Sequence, residues 1–188
     1  MLVSGTQQER LIEGLLTLAR GEAGLDRREL VDLSVVADSV LLTPAADRDR
    51  LDLHVETAIM PATLMGDPRL VERLVINLVD NAMRHNVAAG TVHVSTGMVG
   101  LRATLRVAND GPVIPAGEMD RLFQCFQRMT RDRTGAHGEG VGLGLSIVQA
   151  IANAHGARVH ATPQPEGGLL VEVSFPPVVG PMMISDRR

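Results

Sequence analysis

Hydrophobic and polar positions along the chain follow two different periods. From about Thr6 to Glu22, Leu11, Leu15 and Leu18 form one stripe with Ile12, Leu16 and Ala19 beside it, which predicts a helix with an apolar face. Leu33, Val36, Ala37, Val40 and Leu41 repeat at three-four spacing and predict a second helix over about Leu33 to Leu42, ended by Pro44. The stretch "GEAGLDRRE" between the two reads as a connector. From about Arg50 the period shortens to two. Leu51, Leu53 and Val55, then Val92 and Val94, then Leu105 and Val107, and finally Leu169, Val171, Val173 and Phe175 predict strands. Helical spacing returns at Leu70, Val71, Leu74, Val75, Leu78, Val79 and Ala82, with Asp67 placed to cap the helix and Pro68 at its first position. A further apolar helix is predicted over "LSIVQAIANAHG". Strands punctuated by helices give an α+β class, a sheet with helices on one face, followed by a Pro- and Gly-bearing tail expected to be loose.

Two positions interrupt the apolar helix in a regular way. Asn77 and Asn81 are four apart and project on one side, with Arg84 and His85 on the next turn. A lone asparagine on a helix edge is ordinarily solvated. Two in register with a cation suit another purpose, because a neutral amide oxygen is a hard ligand fit for Mg²⁺, which keeps most of its waters and leans on phosphates. Glycine-rich loops follow. "VANDGPVIP" leaves a strand through a Gly-Pro turn, and "GEGVGLGLSIV" alternates glycines up to a helix predicted to begin at Leu145. Glycine lets backbone N–H groups approach an anion, and a helix start adds partial positive charge. Such runs also serve close helix–sheet packing. The chain has no P-loop spacing and no dinucleotide fingerprint within a βαβ unit.

Composition narrows the partners. With 188 residues, 45% of them hydrophobic, the chain supports one sizeable core. A net charge of -4 and a pI near 5.8 give no general attraction to nucleic acid or an anionic membrane, so any nucleotide must be held locally. Trp and Tyr are absent and Phe occurs three times, which argues against stacking platforms for single strands. The single cysteine, Cys125, excludes an internal disulfide and a cysteine-based zinc cluster, and a cytoplasmic setting is expected. No apolar run approaches the roughly 18 to 20 residues of a membrane span, and no signal-peptide pattern occurs.

The order of these features resembles the sensor histidine kinases. The asparagine helix, "NDGPVIP", "LFQCF", "GVGLGLSIV" and the closing "ANAHGARVHATPQPEGGLLVEVSFP" look like the N, first glycine, F and second glycine boxes and the final strands of that family, from about Asp67 to Pro176. The lead-in, "LIEGLLTLARGEAG" followed by "VDLSVVADSVL", is similar to the second helix of the dimerisation and phosphoacceptor hairpin and its junction. The expected organisation is therefore hairpin helix and junction over 1–45, catalytic ATP-binding domain over 46–178, and a loose tail over 179–188.

The resemblance implies the Bergerat fold, a two-layer α/β sandwich that takes ATP between the asparagine helix and a lid. It implies that Asn77 and Asn81 serve Mg²⁺-ATP, that Arg84 contacts phosphate and that His85 lies near the nucleotide. Asn109 stands where the family usually has the Asp that reads the adenine amine, with Gly111 after it. A carboxylate restored at that position is expected to bind more tightly, and Val113, in place of a glycine, is expected to crowd the backbone. Phe123 and Phe126 match the F box, Cys125 replaces a common proline, and Gln127 to Glu139 would be the lid. Gly140, Gly142 and Gly144, with Leu145 opening the helix, would hold phosphate. The implied cofactors are ATP and Mg²⁺. The implied partners are a phosphoacceptor hairpin of the same kinase, a cognate response regulator and a second copy in a full-length homodimer, with no nucleic acid. The full-length protein would be a membrane-anchored sensor with this part in the cytoplasm.

None of the six histidines sits in a His-Glu/Asp-x-Arg/Lys-x-Pro setting, so the phosphoacceptor is expected outside this chain. Two alternatives stand beside the kinase. Hydrolases of the same fold commonly carry a Glu base where Asn77 stands, and an amide cannot act as one, while Glu72, five residues away, would face elsewhere. A nucleotide-binding regulatory module that signals by conformation is the other.

Overall fold

The computed structural model describes residues 27–43, 51–122 and 144–178. In chain order the elements are β1 (Glu29–Asp32), α1 (Leu33–Leu41), β2 (His54–Ile59), β3 (Thr63–Gly66), α2 (Pro68–Arg84), β4 (Thr91–Val99) and β5 (Arg102–Asn109). A 3₁₀ turn (Ala116–Arg121), α3 (Gly144–Ala154), β6 (Arg158–Pro163) and β7 (Leu169–Ser174) follow. Five strands form one sheet in the order β2-β4-β5-β7-β6, with β2 parallel to β4 and the other neighbours antiparallel.

Register explains the two layers. Val94 pairs with Val107 and Val107 with Val171, so these residues line one face together with Val92, Leu105 and Val173, all buried. The alternate positions, Glu56, His93, Arg106 and Glu172, look outward, and Arg106 Nε donates to Glu172 Oε2 at 2.6 Å across that open face. An antiparallel sheet with one dry face alternates in this way. The dry face is covered by aliphatic residues of the helices, including Leu33 and Ala37 of α1, Val71, Leu74 and Leu78 of α2, and Ile147, Val148 and Ile151 of α3.

The asparagine helix starts and stops where local chemistry dictates. The Asp67 carboxylate accepts from the backbone N–H of Arg69 at 2.9 Å and of Leu70 at 3.3 Å, and Pro68 occupies the first turn, where its missing N–H costs nothing. Asp32 caps α1 in the same manner and reaches further, accepting from Ser34 N, Ser34 Oγ and Ala62 N. Burial pushes the Asp32 carboxyl up, but these three hydrogen bonds outweigh it and hold the group below its ordinary value.

Several expectations need correction. The strand expected from Leu51 begins at His54, because Asp52 adopts φ +53° and turns the chain before it. The connector reading reached Glu29, yet β1 starts there and pairs with β3, Leu30 opposite Met65 and Val31 opposite Leu64. In each four-residue strand only one large apolar side chain, Val31 or Leu64, is buried, which is too little for periodicity to register. Val31, Leu33 and Ala37, in the stretch before residue 46, are buried in the same core as the sheet. The helix expected over Thr6 to Glu22, the F box with Phe123, Cys125 and Phe126, the lid, Gly140, Gly142 and the 179–188 tail lie outside the described residues.

Candidate nucleotide-binding site

Strand β5 delivers Asn109 to the edge of the core, where only 4% of it is exposed. Its Nδ2 donates to the His85 carbonyl at 3.2 Å and to the Asp110 carbonyl at 2.7 Å. Both partners can only accept, so the nitrogen must face them and Oδ1 is left as the acceptor. This reverses the expectation for a carboxylate at 109. An Asp oxygen in place of Nδ2 would stand against two carbonyl oxygens with no proton between them. Asp110 does different work: its Oδ2 accepts from Thr91 N at 2.8 Å while its own N–H donates to Thr91 O, closing the start of β4 onto the end of β5.

The turn after Asn109 is held from beneath by the β6–β7 connection. Gln164 Nε2 donates to the Asn109 carbonyl at 3.2 Å, and Gly168 N donates to the Pro112 carbonyl at 3.2 Å. Gly168 has φ +90°, and a Cβ there would overlap the Asn109 carbonyl oxygen. A Cβ on Gly111 would lie 2.7 Å from the His85 carbonyl oxygen, so packing alone demands glycine there. Val113, expected to crowd this turn, is 62% exposed and points away.

Helix α2 approaches the same end. Asn77 Nδ2 donates back to the Arg73 carbonyl at 2.7 Å, which leaves Oδ1 as its outward group. Asn81, one turn on, Arg84, the last helical residue, and His85, the C-cap, are all partly buried. The His85 carbonyl is the group that Asn109 holds, so the end of α2 and the end of β5 are joined directly. Glu72 is exposed, consistent with its facing elsewhere.

Helix α3 completes the arrangement. Among the described residues, a Cβ on Gly144 would meet only the Asn77 carbonyl oxygen and Oδ1, each at 3.9 Å, an ordinary contact. Packing against the described residues therefore does not require glycine at 144, unlike 111. The N-terminal end of α3, where a helix carries partial positive charge, lies beside the Asn77 carboxamide. Leu145 is buried, so what it can offer a ligand is its backbone. Among the described residues no cluster of three or more His, Cys, Asp or Glu forms a ligand set, so a divalent cation here would rest on amide oxygens, water and the phosphates it arrives with. A cavity of about 460 Å³ at the other end of β5, lined by Pro61, Thr63, Met98, Leu101, Pro177 and Val178, offers no such chemistry. Reading the sequence alone missed Gln164, Gly167 and Gly168 as supports of the Asn109 turn. The glycine pair in "PEGGLL" was the available signal.

Neutral amides, a helix start and the Asn109 turn thus lie at one end of a two-layer α/β sandwich. Residues 66–179 match the family described as histidine kinase-, DNA gyrase B-, and HSP90-like ATPase, and the chain belongs to that family. It is 41% identical over 177 residues to the sensor protein CutS of Streptomyces coelicolor, a match that takes in 94% of this chain and 42% of CutS. The chain thus spans about two fifths of that relative. Among solved structures it resembles the mycobacterial sensor histidine kinase MprB, with TM-score 0.68 and 27% identity over 80% of this chain and 98% of that one. The Acinetobacter baumannii histidine kinase AdeS gives TM-score 0.73 and 26% identity over 91% of this chain and 79% of that one. The chain is the ATP-binding catalytic domain of the sensor histidine kinase kind.

Proposed function

We propose that this domain takes ATP as its Mg²⁺ complex and, in the intact protein, delivers the γ-phosphoryl group to a histidine on a dimerisation hairpin for relay to a response regulator. The observation that carries the reading is the meeting of Asn77 Oδ1 with Gly144 at the start of α3, where no described residue stands close enough to require glycine. Asn77 and Asn81 would hold the metal, and Arg84, with backbone N–H groups at Gly140, Gly142, Gly144 and Leu145, would hold the phosphates. Asn109 Oδ1 would accept from the adenine amine with His85 nearby. Bound Mg²⁺ supplies charge neutralisation at the phosphates. In the transfer the bond from the γ-phosphorus to the ADP oxygen breaks as a bond to an imidazole nitrogen forms, and ADP leaves with the electron pair.

Homodimerisation, membrane anchoring of the full-length protein and a cytoplasmic position for this domain follow the same reading. No helix among the described residues is long and apolar enough to cross a membrane. Calorimetric titration with Mg²⁺-ATP tests the site. Asn81→Ala should abolish Mg²⁺-dependent binding, and unchanged affinity in that variant would remove the metal role. Incubation with γ-labelled ATP should leave the chain alone unlabelled and label a supplied phosphoacceptor hairpin. Acid-labile label on the isolated chain would overturn the assignment of the acceptor to the hairpin.

A further inference from the structure

His155 follows the last residue of α3, at the end of the helix remote from Gly144, and is 5% exposed. Its Nδ1 lies 2.8 Å from the Ile151 carbonyl oxygen, which can only accept, so Nδ1 carries the proton and Nε2 is an acceptor. Nε2 accepts from the backbone N–H of Asp67 at 3.1 Å. Asp67 is the N-cap of α2. The ring meets Phe175 edge to face at 5.8 Å and 89°, and a Cβ on Gly66 would sit 2.5 Å from its Cδ2. The imidazole is thereby confined to one position, tied to the end of one helix and the start of the other.

The helices run in opposite directions, and the two places where they are tied bracket matching lengths. Ten residues separate Asp67 from Asn77 and eleven separate Gly144 from His155, about 15 and 16 Å of helix. Between these places both helices contribute aliphatic side chains to the common core, Val71 and Leu74 from one and Ile147, Val148 and Ile151 from the other. Burial of apolar surface is in itself non-directional, whereas the bond between His155 and Asp67 is directional.

We propose that His155 is a positioning residue for the nucleotide site, acting through Asp67 to set the register of the asparagine helix against the glycine-box helix. The inference rests on the ATP-site reading above. The charged groups whose fields reach the ring, Asp67 and Arg28, are of opposite sign, so the tie depends on the neutral imidazole and its tautomer.

Two substitutions separate the bonds. In His155→Asn the carboxamide reaches only the Nδ1 position, keeping the donor to Ile151 and losing the acceptor for Asp67. In His155→Gln it reaches the Nε2 position and restores that acceptor. Affinity for Mg²⁺-ATP should fall about fivefold in the first, the scale of one neutral hydrogen bond, and stay within about twofold in the second. Val173→Ala, a core truncation in the sheet, should lower stability without changing affinity. Equal affinity in both His155 variants, or a loss in Val173→Ala that matches His155→Asn, overturns the proposal. Without nucleotide, His155→Asn should shift the side-chain amide resonances of Asn77 and the backbone amide of Gly144, and unmoved resonances also overturn it. If those resonances move while the unsubstituted chain fails to bind Mg²⁺-ATP, the functional reading fails and the register argument stands.

Discussion

At the end of the helix pair where α2 begins, an imidazole fills the space between Gly66, Asp67 and Phe175, and both its nitrogens are bonded. At the end where α3 begins, a glycine faces a carboxamide whose oxygen accepts no hydrogen bond from the described residues. One end uses its imidazole on the protein, and the other presents the Asn77 oxygen. The difference teaches that glycine is informative in opposite ways. Gly66, Gly111 and Gly168 are required by neighbours that leave no room, whereas at Gly144 no described residue comes closer than an ordinary contact, and the proposed nucleotide site gives glycine a use there.

The sharpest break of that contrast is Gly168→Ala. A methyl group at φ +90° against the Asn109 carbonyl should cost about 3 kcal/mol or more, read as a lowered urea midpoint. The helix residue Gly144, substituted by Ala, should fold at least as stably as the parent. Asn109→Asp comes next. Removal of both N–H donors from the two carbonyls should lower stability by about 2 kcal/mol and weaken Mg²⁺-ATP binding about tenfold or more, by denaturation and calorimetry. Tighter binding would show that the turn relaxes around the charge.

Acid should act on the closed end through His155. Burial lowers the His155 pKa, so the folded protein binds fewer protons there than the unfolded chain does. The resulting stability is complete above the ordinary imidazole value of about 6.5 and declines as pH falls below it. Thermal melts between pH 8 and pH 5 should show this slope, and His155→Gln should flatten it. Asp32 adds a second loss at lower pH, because its lowered value stabilises the fold above the ordinary carboxylate range and is surrendered as pH falls through the folded value. The smallest effect belongs to the open sheet face. Arg106→Ala removes a bond to a partly exposed Glu172 and should change stability by less than about 0.5 kcal/mol.

Periodicity alone located α2 and its cap, the cores of β4, β5 and β7, and the side of the helix on which Asn77 and Asn81 lie. These follow from the chain because a helix or strand that buries one face must repeat its apolar residues at the period of its backbone, and because caps are bonds between near neighbours in sequence. The order of the boxes added the fold and the ligand class by resemblance. The β1–β3 ribbon stayed hidden, since two four-residue strands with one large buried apolar side chain each leave no period to detect. The direction in which Asn109 points, the grip of Gln164 and Gly168 on its turn, and the tie from His155 to Asp67 were decided only by tertiary structure. Apart from the bond of Asn109 to its neighbour Asp110, each joins residues 24 to 88 positions apart. A carboxamide or imidazole takes its orientation from whichever donor or acceptor folding brings to it, and local sequence does not hold that partner.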